Sequence, residues 1–296
     1  MTPRVVLVTG GSSGIGRAAA RLLVGAGDHV VLLSRPGGAV TEVAEALGEL
    51  ATAEPVDVVD RAAVEAAVER TVQRFGRLDA VVHAAQVMAY GRIEDVPPDV
   101  YERVVDTAMH GTANIARVVL PQFRRQGHGT LVVVNSLLGE IATPAMGAYD
   151  AGKWGQLGLA RVLQLETRDA RDVHVCIVSP GAVDTPIYDQ AANHAGRGGF
   201  PPPPVVSPEK VARVAVRMLD RPRRHVEVGP VNAVTVLGFR FLPFVFDRVV
   251  GPLVRFAVFR GAPSEPYAGN VFTPVRRQES ERAGWSLLGR RRRGGS

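Results

Sequence analysis

The sequence predicts an α/β fold, a doubly wound parallel sheet of about seven strands with helices on both faces. Three observations lead there. Short, wholly apolar runs of buried-strand type, such as Val5-Val-Leu-Val8 and Leu131-Val-Val-Val134, recur between residues 1 and 230. Segments with apolar residues at helical spacing separate them. A glycine-rich turn, Thr9-Gly-Gly-Ser-Ser-Gly14-Ile-Gly16, joins the first strand to the first helix. At 296 residues and 46% hydrophobic composition, the chain can bury one large core or two small ones.

Taken in order, Val5 to Val8 reads as a strand covered on both faces. Arg17 to Val24 is helical, with glycine after its end. Strand, glycine-rich turn and helix is the context that a phosphate-cradling loop requires. Gly10 permits the tight turn, Gly14 lets the backbone approach a pyrophosphate, and Gly16 lets helix and strand pack closely. His29 to Leu33 is the second strand and ends in Ser34-Arg35. In a dinucleotide fold this place lies beside the adenosine ribose. An acid there binds the free 2′-hydroxyl, whereas Ser34 and Arg35 suit the 2′-phosphate of NADP.

Ala39 to Leu50 is a helix, and Thr52 to Val58 contains a short strand with Asp57 at its end, placed to accept from an adenine amino group. Asp60 caps the helix from Ala62 to Phe75, in which Val64, Val68 and Val72 repeat at helical spacing; Gly76 stops it. Leu78 to Ala84 is the fourth strand. Pro98 to Arg125 contains a long helix, Gly129 to Asn135 is the fifth strand, and Gly147 to Thr167 is the next helix. Val173 to Val178 is the sixth strand and leads into Pro180-Gly-Ala-Val-Asp-Thr185-Pro186. From Pro186 to Val206 the abundance of Ala, Gly and Pro reads as a loop or lid. Ser207 then caps a helix from Glu209 to Leu219, and His225 to Val228 completes the sheet. Right-handed crossovers put the C-terminal ends of the strands along one edge, where ligands bind. Gly10, Ser136, Tyr149 and Thr185 fall at or just past that edge.

Chemistry concentrates between Ser136 and Lys153. Tyr149 and Lys153 are four residues apart, so on a helix they share one face. A free phenol has a pKa near ~10, and a neighbouring ammonium lowers it, making tyrosine usable as an acid or base near neutrality. Ser136 stands at the end of a buried-strand run, where its hydroxyl can hold a substrate oxygen against the tyrosine. Only two of the 35 basic residues are lysines, Lys153 and Lys210, so lysine here departs from the chain's default cation.

The formal net charge is +6, and much of the excess lies in Arg290 to Arg293, which reads as a solvated tail. No zinc-finger spacing supports nucleic acid as a partner. The lone cysteine, Cys176, sits in an apolar run and reads as buried; with no disulfide framework, the chain suits a reducing compartment. The first strand begins at once, leaving no room for a signal peptide, and the expected location is cytoplasmic.

These residues, in this order and at this spacing, resemble the short-chain dehydrogenase/reductase family over residues 1–230, whose fold is Rossmann-like. The resemblance rests on the Thr9–Gly16 loop, Asp57, Ser136, Tyr149-x-x-x-Lys153, and Pro180-Gly181 with Thr185. It implies a catalytic set in which Ser136 positions the substrate oxygen, Tyr149 moves its proton, and Lys153 lowers the tyrosine pKa and binds the nicotinamide ribose. It implies NADP as cofactor, with NAD as the other choice, and no metal. The cofactor would lie on Gly10, Ser12, Ser13, Gly14, Ile15 and Gly16, beside Ser34, Arg35, Asp57, Val58 and Ala84. Tyr149, Lys153, Pro180, Gly181, Val183 and Thr185 would line its nicotinamide end. Two departures stand out. His83-Ala84-Ala85-Gln86 replaces the family's Asn-Asn-Ala-Gly, and Ala108 stands where the family has an asparagine that holds a water linking the lysine to solvent.

Residues 231–296 exceed the family core and read as an amphipathic helical segment followed by a disordered basic tail. Val231 to Arg260 is rich in Phe, Leu and Val, but Arg240, Asp247, Arg248 and Arg255 interrupt it, so no run reaches the ~20 apolar residues of a membrane span. The segment either folds over the substrate cleft or against a partner subunit, or lies in a membrane interface. The expected function is an NADP-dependent interconversion of a carbonyl and a secondary alcohol on a small apolar substrate. The alternative is a catalytically impaired cofactor-binding protein acting as sensor or partner subunit. Relatives pair through helices equivalent to Pro98–Arg125 and Gly147–Thr167, so the resemblance implies a dimer or tetramer.

Overall fold

A computed structural model describes residues 3–290 of the chain. Its first half runs β1 (Val5–Thr9), α1 (Gly14–Gly25), β2 (His29–Ser34), α2 (Val40–Leu47), β3 (Ala51–Pro55), α3 (Arg61–Phe75), β4 (Ala80–His83), β5 (Ala89–Tyr90) and α4 (Pro98–Gln126). The second half runs β6 (Gly129–Val134), α5 (Gly147–Glu166), β7 (Val173–Pro180), α6 (Ile187–Gln190), β8 (Ala192–Asn193), α7 (Pro208–Asp220), β9 (His225–Val228), α8 (Asn232–Phe241) and α9 (Pro243–Ala257). Seven strands form one parallel sheet in the order β3-β2-β1-β4-β6-β7-β9. The chain reverses direction between β1 and β4, the switch point at which such sheets open a ligand crevice.

The apolar strand runs are explained by burial on both faces. Val6, Val8, Val30, Leu32 and Val132 point to one side and pack against α1, α2 and α7. Their neighbours Leu7, Val31, Leu33, Leu131 and Val133 point to the other and pack against α3, α4 and α5. This is the two-residue period of a strand read out on a doubly covered sheet. Cys176 is buried on β7, as expected.

A third apolar cluster covers the C-terminal edge of the sheet. It joins Val87 to Tyr90, Met146 and Tyr149 to Ala191 and Ala192 of the lid, and to Val254, Val258 and Val271 beyond residue 230. Here the structure adds detail that the sequence did not announce. The 186–206 lid contains α6 and β8, and β8 pairs in parallel with β5 in a separate two-stranded sheet. Two-residue strands are too short to show a period. Residues 258–290 are tied to the lid and the core by bridges such as Asn193–Tyr267 and by backbone bonds such as Val205 N to Leu287 O, 2.9 Å. Arg291 to Arg293 lie outside the described residues.

Candidate active site

The nucleotide end of the site is set by the first turn. Gly10 has φ +67, and a Cβ there would stand 3.0 Å from the Ala84 carbonyl. At Gly16 a Cβ would meet the Gly10 oxygen at 2.3 Å, so α1 reaches β1 only without one. Gly10, Ser12, Ser13, Gly14, Ile15, Ser34, Arg35, Asp57, Val58, Ala84 and Thr185 line one cavity of about 120 Å³. The hydroxyls of Ser12 and Ser34 lie 2.9 Å apart. Glycines that leave room for phosphate, a helix N-terminus beyond them, and hydroxyls at the ribose end fit a dinucleotide.

Two nucleotide contacts stand differently from expectation. Asp57 is not free for an adenine: Oδ1 accepts from Val59 N at 3.1 Å and Oδ2 pairs with Arg103. Arg35 does not stand open toward a phosphate either. Its NH1 donates to the Val271 carbonyl at 2.9 Å and its NH2 to the Asn270 carbonyl at 2.6 Å. Burial pulls the guanidinium below its ordinary pKa; Asp57 works against that shift and Arg103 with it. No pattern in the sequence announces that Asn270 and Val271, far beyond the end of α7 at Asp220, return to this strand end.

The other end of the groove opens into a second, larger cavity of about 470 Å³ that shares Ile15, Ala84 and Thr185 with the first. Ser136, Tyr149, Lys153, Pro180, Gly181 and Val183 all line it. The structure therefore brings the predicted set together. Ser136 follows β6, and its Oγ accepts from Leu138 N at 3.1 Å, starting the turn Leu137–Gly139. That acceptor role leaves the hydroxyl proton to donate. Tyr149 and Lys153 sit on the buried face of α5, one turn apart, with the ammonium 5.8 Å from the ring centroid.

The electrostatics reverse one expectation. In this structure burial of the phenol outweighs any lowering by Lys153. Burial pushes the Tyr149 pKa well above its ordinary value, Tyr188 adds to the rise, and Ser136 pulls the other way. The lysine is itself the strained group: burial lowers it to about 7. Its Nζ donates to the Val134 carbonyl at 3.1 Å and to Gln156 Oε1 at 2.9 Å. Withdrawal from water costs an ammonium more than these two acceptors return.

Gln156 is the residue that sequence reasoning missed. It is 1% exposed. Its Oε1 receives Lys153 and Asn135 Nδ2, while its Nε2 donates to Thr112 Oγ1 at 2.8 Å and to the Ala108 carbonyl at 3.3 Å. An amide thus links the lysine to the backbone of position 108. The only available signal was a polar residue three after Lys153 on the helix face that carries the site. Ala108 itself is fully buried, and a Cβ on Gly152 would stand 3.0 Å from its own Cβ, so α4 and α5 touch there. His83, the other departure, is buried at the end of β4. Its Nδ1 lies 2.8 Å from Thr9 Oγ1, and burial lowers its pKa to about 3, with Lys153 adding to the effect, so the ring is neutral.

The remaining walls of the large cavity are mostly apolar. Leu138, Ile141, Met146 and Ile187 face it from the core, and Val245, Phe246, Val249 and Leu253 from α9. Among the described residues no group of three or more His, Cys, Asp and Glu side chains could hold a metal ion.

The family model for short chain dehydrogenase matches residues 4–195. The chain is similar to dehydrogenase/reductase SDR family member 7B of Bos taurus, 28% identical over 265 residues that cover 85% of this chain and 81% of the relative. Among solved structures it is similar to an alcohol dehydrogenase of the archaeon Thermococcus sibiricus complexed with 5-hydroxy-NADP. That likeness has a TM-score of 0.65 at 26% identity and covers 76% of this chain and 95% of the other. A short chain dehydrogenase/reductase of Burkholderia phymatum in complex with NAD shares the fold, with a TM-score of 0.73 at 22% identity over 90% of this chain and 98% of the other.

Proposed function

Since the chain belongs to the short-chain dehydrogenase/reductase family and is an NAD(P)-dependent oxidoreductase, we propose that it interconverts a carbonyl and a secondary alcohol on an apolar substrate at Ser136, Tyr149 and Lys153. One observation carries this reading. The three side chains open on a cavity of about 470 Å³ that is otherwise mostly apolar and that joins the dinucleotide groove at Ile15, Ala84 and Thr185. Its size is that of a small-molecule site, where a few polar groups orient an apolar ligand.

When bound, the nicotinamide supplies or accepts the hydride. The protein does the rest. Ser136 Oγ, already accepting from Leu138 N, donates to the substrate oxygen and holds it near the phenol. Tyr149, kept protonated by burial, holds the proton that a nascent alkoxide takes. Lys153, anchored on Val134 and Gln156, places a positive charge behind the phenol, where it stabilises a phenolate as the proton leaves. The apolar walls keep water away, which strengthens each of these interactions.

The test is single-turnover oxidation of NADH and NADPH across a panel of apolar ketones and aldehydes, with Tyr149→Phe as control. Turnover of a panel member that the control loses is the expected result. Tight cofactor binding with no turnover of any member would support the impaired, non-catalytic alternative.

A second reading concerns where the enzyme meets its substrate. No helix among the described residues is long and apolar enough to cross a membrane. Yet α8 and α9 turn Phe241, Phe244 and Phe256 outward at 73%, 71% and 79% exposure, next to the exposed Arg248 and Arg255 and a single acid, Asp247. Leu242, Val245, Val249 and Leu253 line the cavity and are also more than half exposed, so its mouth opens on this face. An apolar face edged with arginine suits an anionic lipid surface in a cytoplasmic setting. Pairing of two chains through α4 and α5 belongs to the same reading and is tested by the mass in solution.

A further inference from the structure

The outer wall of the dinucleotide groove comes from beyond the sheet and its helices. Residues 270–285 pass over it and are tied down on both banks. On the β2 bank, Arg35 donates to the carbonyls of Asn270 and Val271, and Ala39 N donates to Glu279 Oε2 at 2.6 Å. On the α1 bank, Gly14 N donates to the Ser280 carbonyl at 2.9 Å. Beyond it, Arg21 pairs with Glu281 at 2.8 Å and Arg282 with Glu209 at 2.7 Å. Asp184 Oδ1, in the loop after β7, accepts from Ala283 N at 3.2 Å and from Trp285 N at 2.7 Å. Asn270 and Glu279 are themselves part of the groove lining, across from Ser12, Ser34 and Val58.

We propose that residues 270–285 are a strap across the dinucleotide groove, and that Glu279 reads the adenosine ribose, so that the site takes NAD(H) in preference to NADP(H). The proposal rests on the family reading of the cofactor and deepens it. The end of β2 carries Ser34 and Arg35 and no acid of its own. Glu279 brings a carboxylate to that place from the far end of the chain. It comes close because residue 38 is glycine: a Cβ there would stand 2.8 Å from Glu279 Oε1. Oε2 is taken by Ala39 N, while among the described residues Oε1 accepts no hydrogen bond and is available to a ribose hydroxyl. A 2′-phosphate in the same place meets a carboxylate of like charge and an Ala39 N–H already in use. Nor does Arg35 compensate, because both terminal nitrogens of its guanidinium are spent on the strap. A hydroxyl gains an acceptor here, and a phosphate finds repulsion.

The experiment is direct binding of NADH and NADPH to the full chain, followed by calorimetry or by cofactor fluorescence, for the native protein and for Glu279→Gln. The expected result is NADH bound at least about tenfold more tightly than NADPH by the native protein, with that ratio falling by about tenfold in Glu279→Gln. Arg35→Ser is the second variant. It should loosen the strap and speed release of both cofactors, without the selective loss of NADPH that a phosphate anchor would show. Native protein that prefers NADPH, or a ratio unmoved by Glu279→Gln, overturns the proposal while leaving the oxidoreductase reading intact. Glu279→Gln that binds both cofactors where the native chain binds neither overturns ribose reading and makes the strap a plug. Absence of binding to either protein overturns the proposal together with the family reading beneath it.

Discussion

At the scale of single residues, the buried amide of Gln156 explains how a site that lacks the family asparagine still holds its lysine. Lys153 needs acceptors to keep its charge at 2% exposure, and Gln156 supplies one of two. Gln156→Leu removes that acceptor, so the ammonium form becomes less favourable and the alkaline limb of the pH–rate profile should move to lower pH. Gln156→Glu should move the limb the other way. A residue that only fills space would leave the limb where it is in both variants. Tyr149→Phe removes the transferable proton and should abolish turnover while cofactor titration stays unchanged. Ser136→Ala should lower the single-turnover rate by about 10²–10³. Restoring the family residue with Ala108→Asn should not rescue anything. Position 108 is fully buried against Gly152, and the added atoms would part α4 from α5, a change read as a lowered melting temperature. Tyr149 and Lys153 were legible because a four-residue spacing puts them on one helix face, and Ser136 joined them through its place at a strand end and the family resemblance. Gln156 was not, since its partners come from Ala108, Thr112 and Asn135, which no local period connects to it.

At the scale of elements, the central strands of the large sheet were legible, because three or four apolar residues in a row have few other uses in a chain that alternates them with helices, whereas the edge strands β3 (Ala51–Pro55) and β9 (His225–Val228) carry polar residues and were legible only from their place in that alternation. The helices of the extension were legible as amphipathic, and what they face was left between cleft, partner and membrane. The structure gives α9 two jobs, with Phe246 and Val254 on the cavity and Phe244 and Phe256 outside. Phe241→Ser, Phe244→Ser and Phe256→Ser combined should leave the cavity walls in place and abolish flotation with anionic vesicles. Flotation of the native chain should weaken with salt, as an arginine contribution requires. Equal recovery of the native and triple-variant chains with vesicles would remove the lipid reading. The strap was illegible for a plain reason: it has almost no regular structure, and beside its ion pairs much of its hold on the core is made through backbone atoms of Gly14, Ala39, Asn270 and Val271, which no side-chain pattern reveals.

At the scale of the whole molecule, stability carries the mark of the site. Asp150, next to Tyr149, is raised from 3.8 to about 7 by burial, against the pull of Thr143, whose N and Oγ1 donate to its Oδ2 at 2.7 and 3.0 Å. Between those values the folded chain holds a proton that the unfolded chain has released. The contribution is therefore fully present below 3.8 and is lost as pH rises through about 7. Asp150→Asn keeps the shape and cannot ionise. Denaturant unfolding of both proteins should show the variant gaining on the native chain as pH rises from 4 toward 8. A difference that stays flat would mean that Asp150 ionises as easily folded as unfolded.

The third apolar cluster has a bearing on how this enzyme comes into being. Tyr149 packs in the same cluster as Val254, Val258 and Val271. Ribosomes deliver a chain from its N-terminus at about 5–20 residues per second, and domains settle as they emerge. The sheet and both its helix layers can close once β9 is out. The pocket around the tyrosine cannot, because its roof is still being translated. For several seconds a nascent chain exposes a finished dinucleotide sheet with an open, greasy crevice and no strap. That interval is when a chaperone, or a premature stop, would find it.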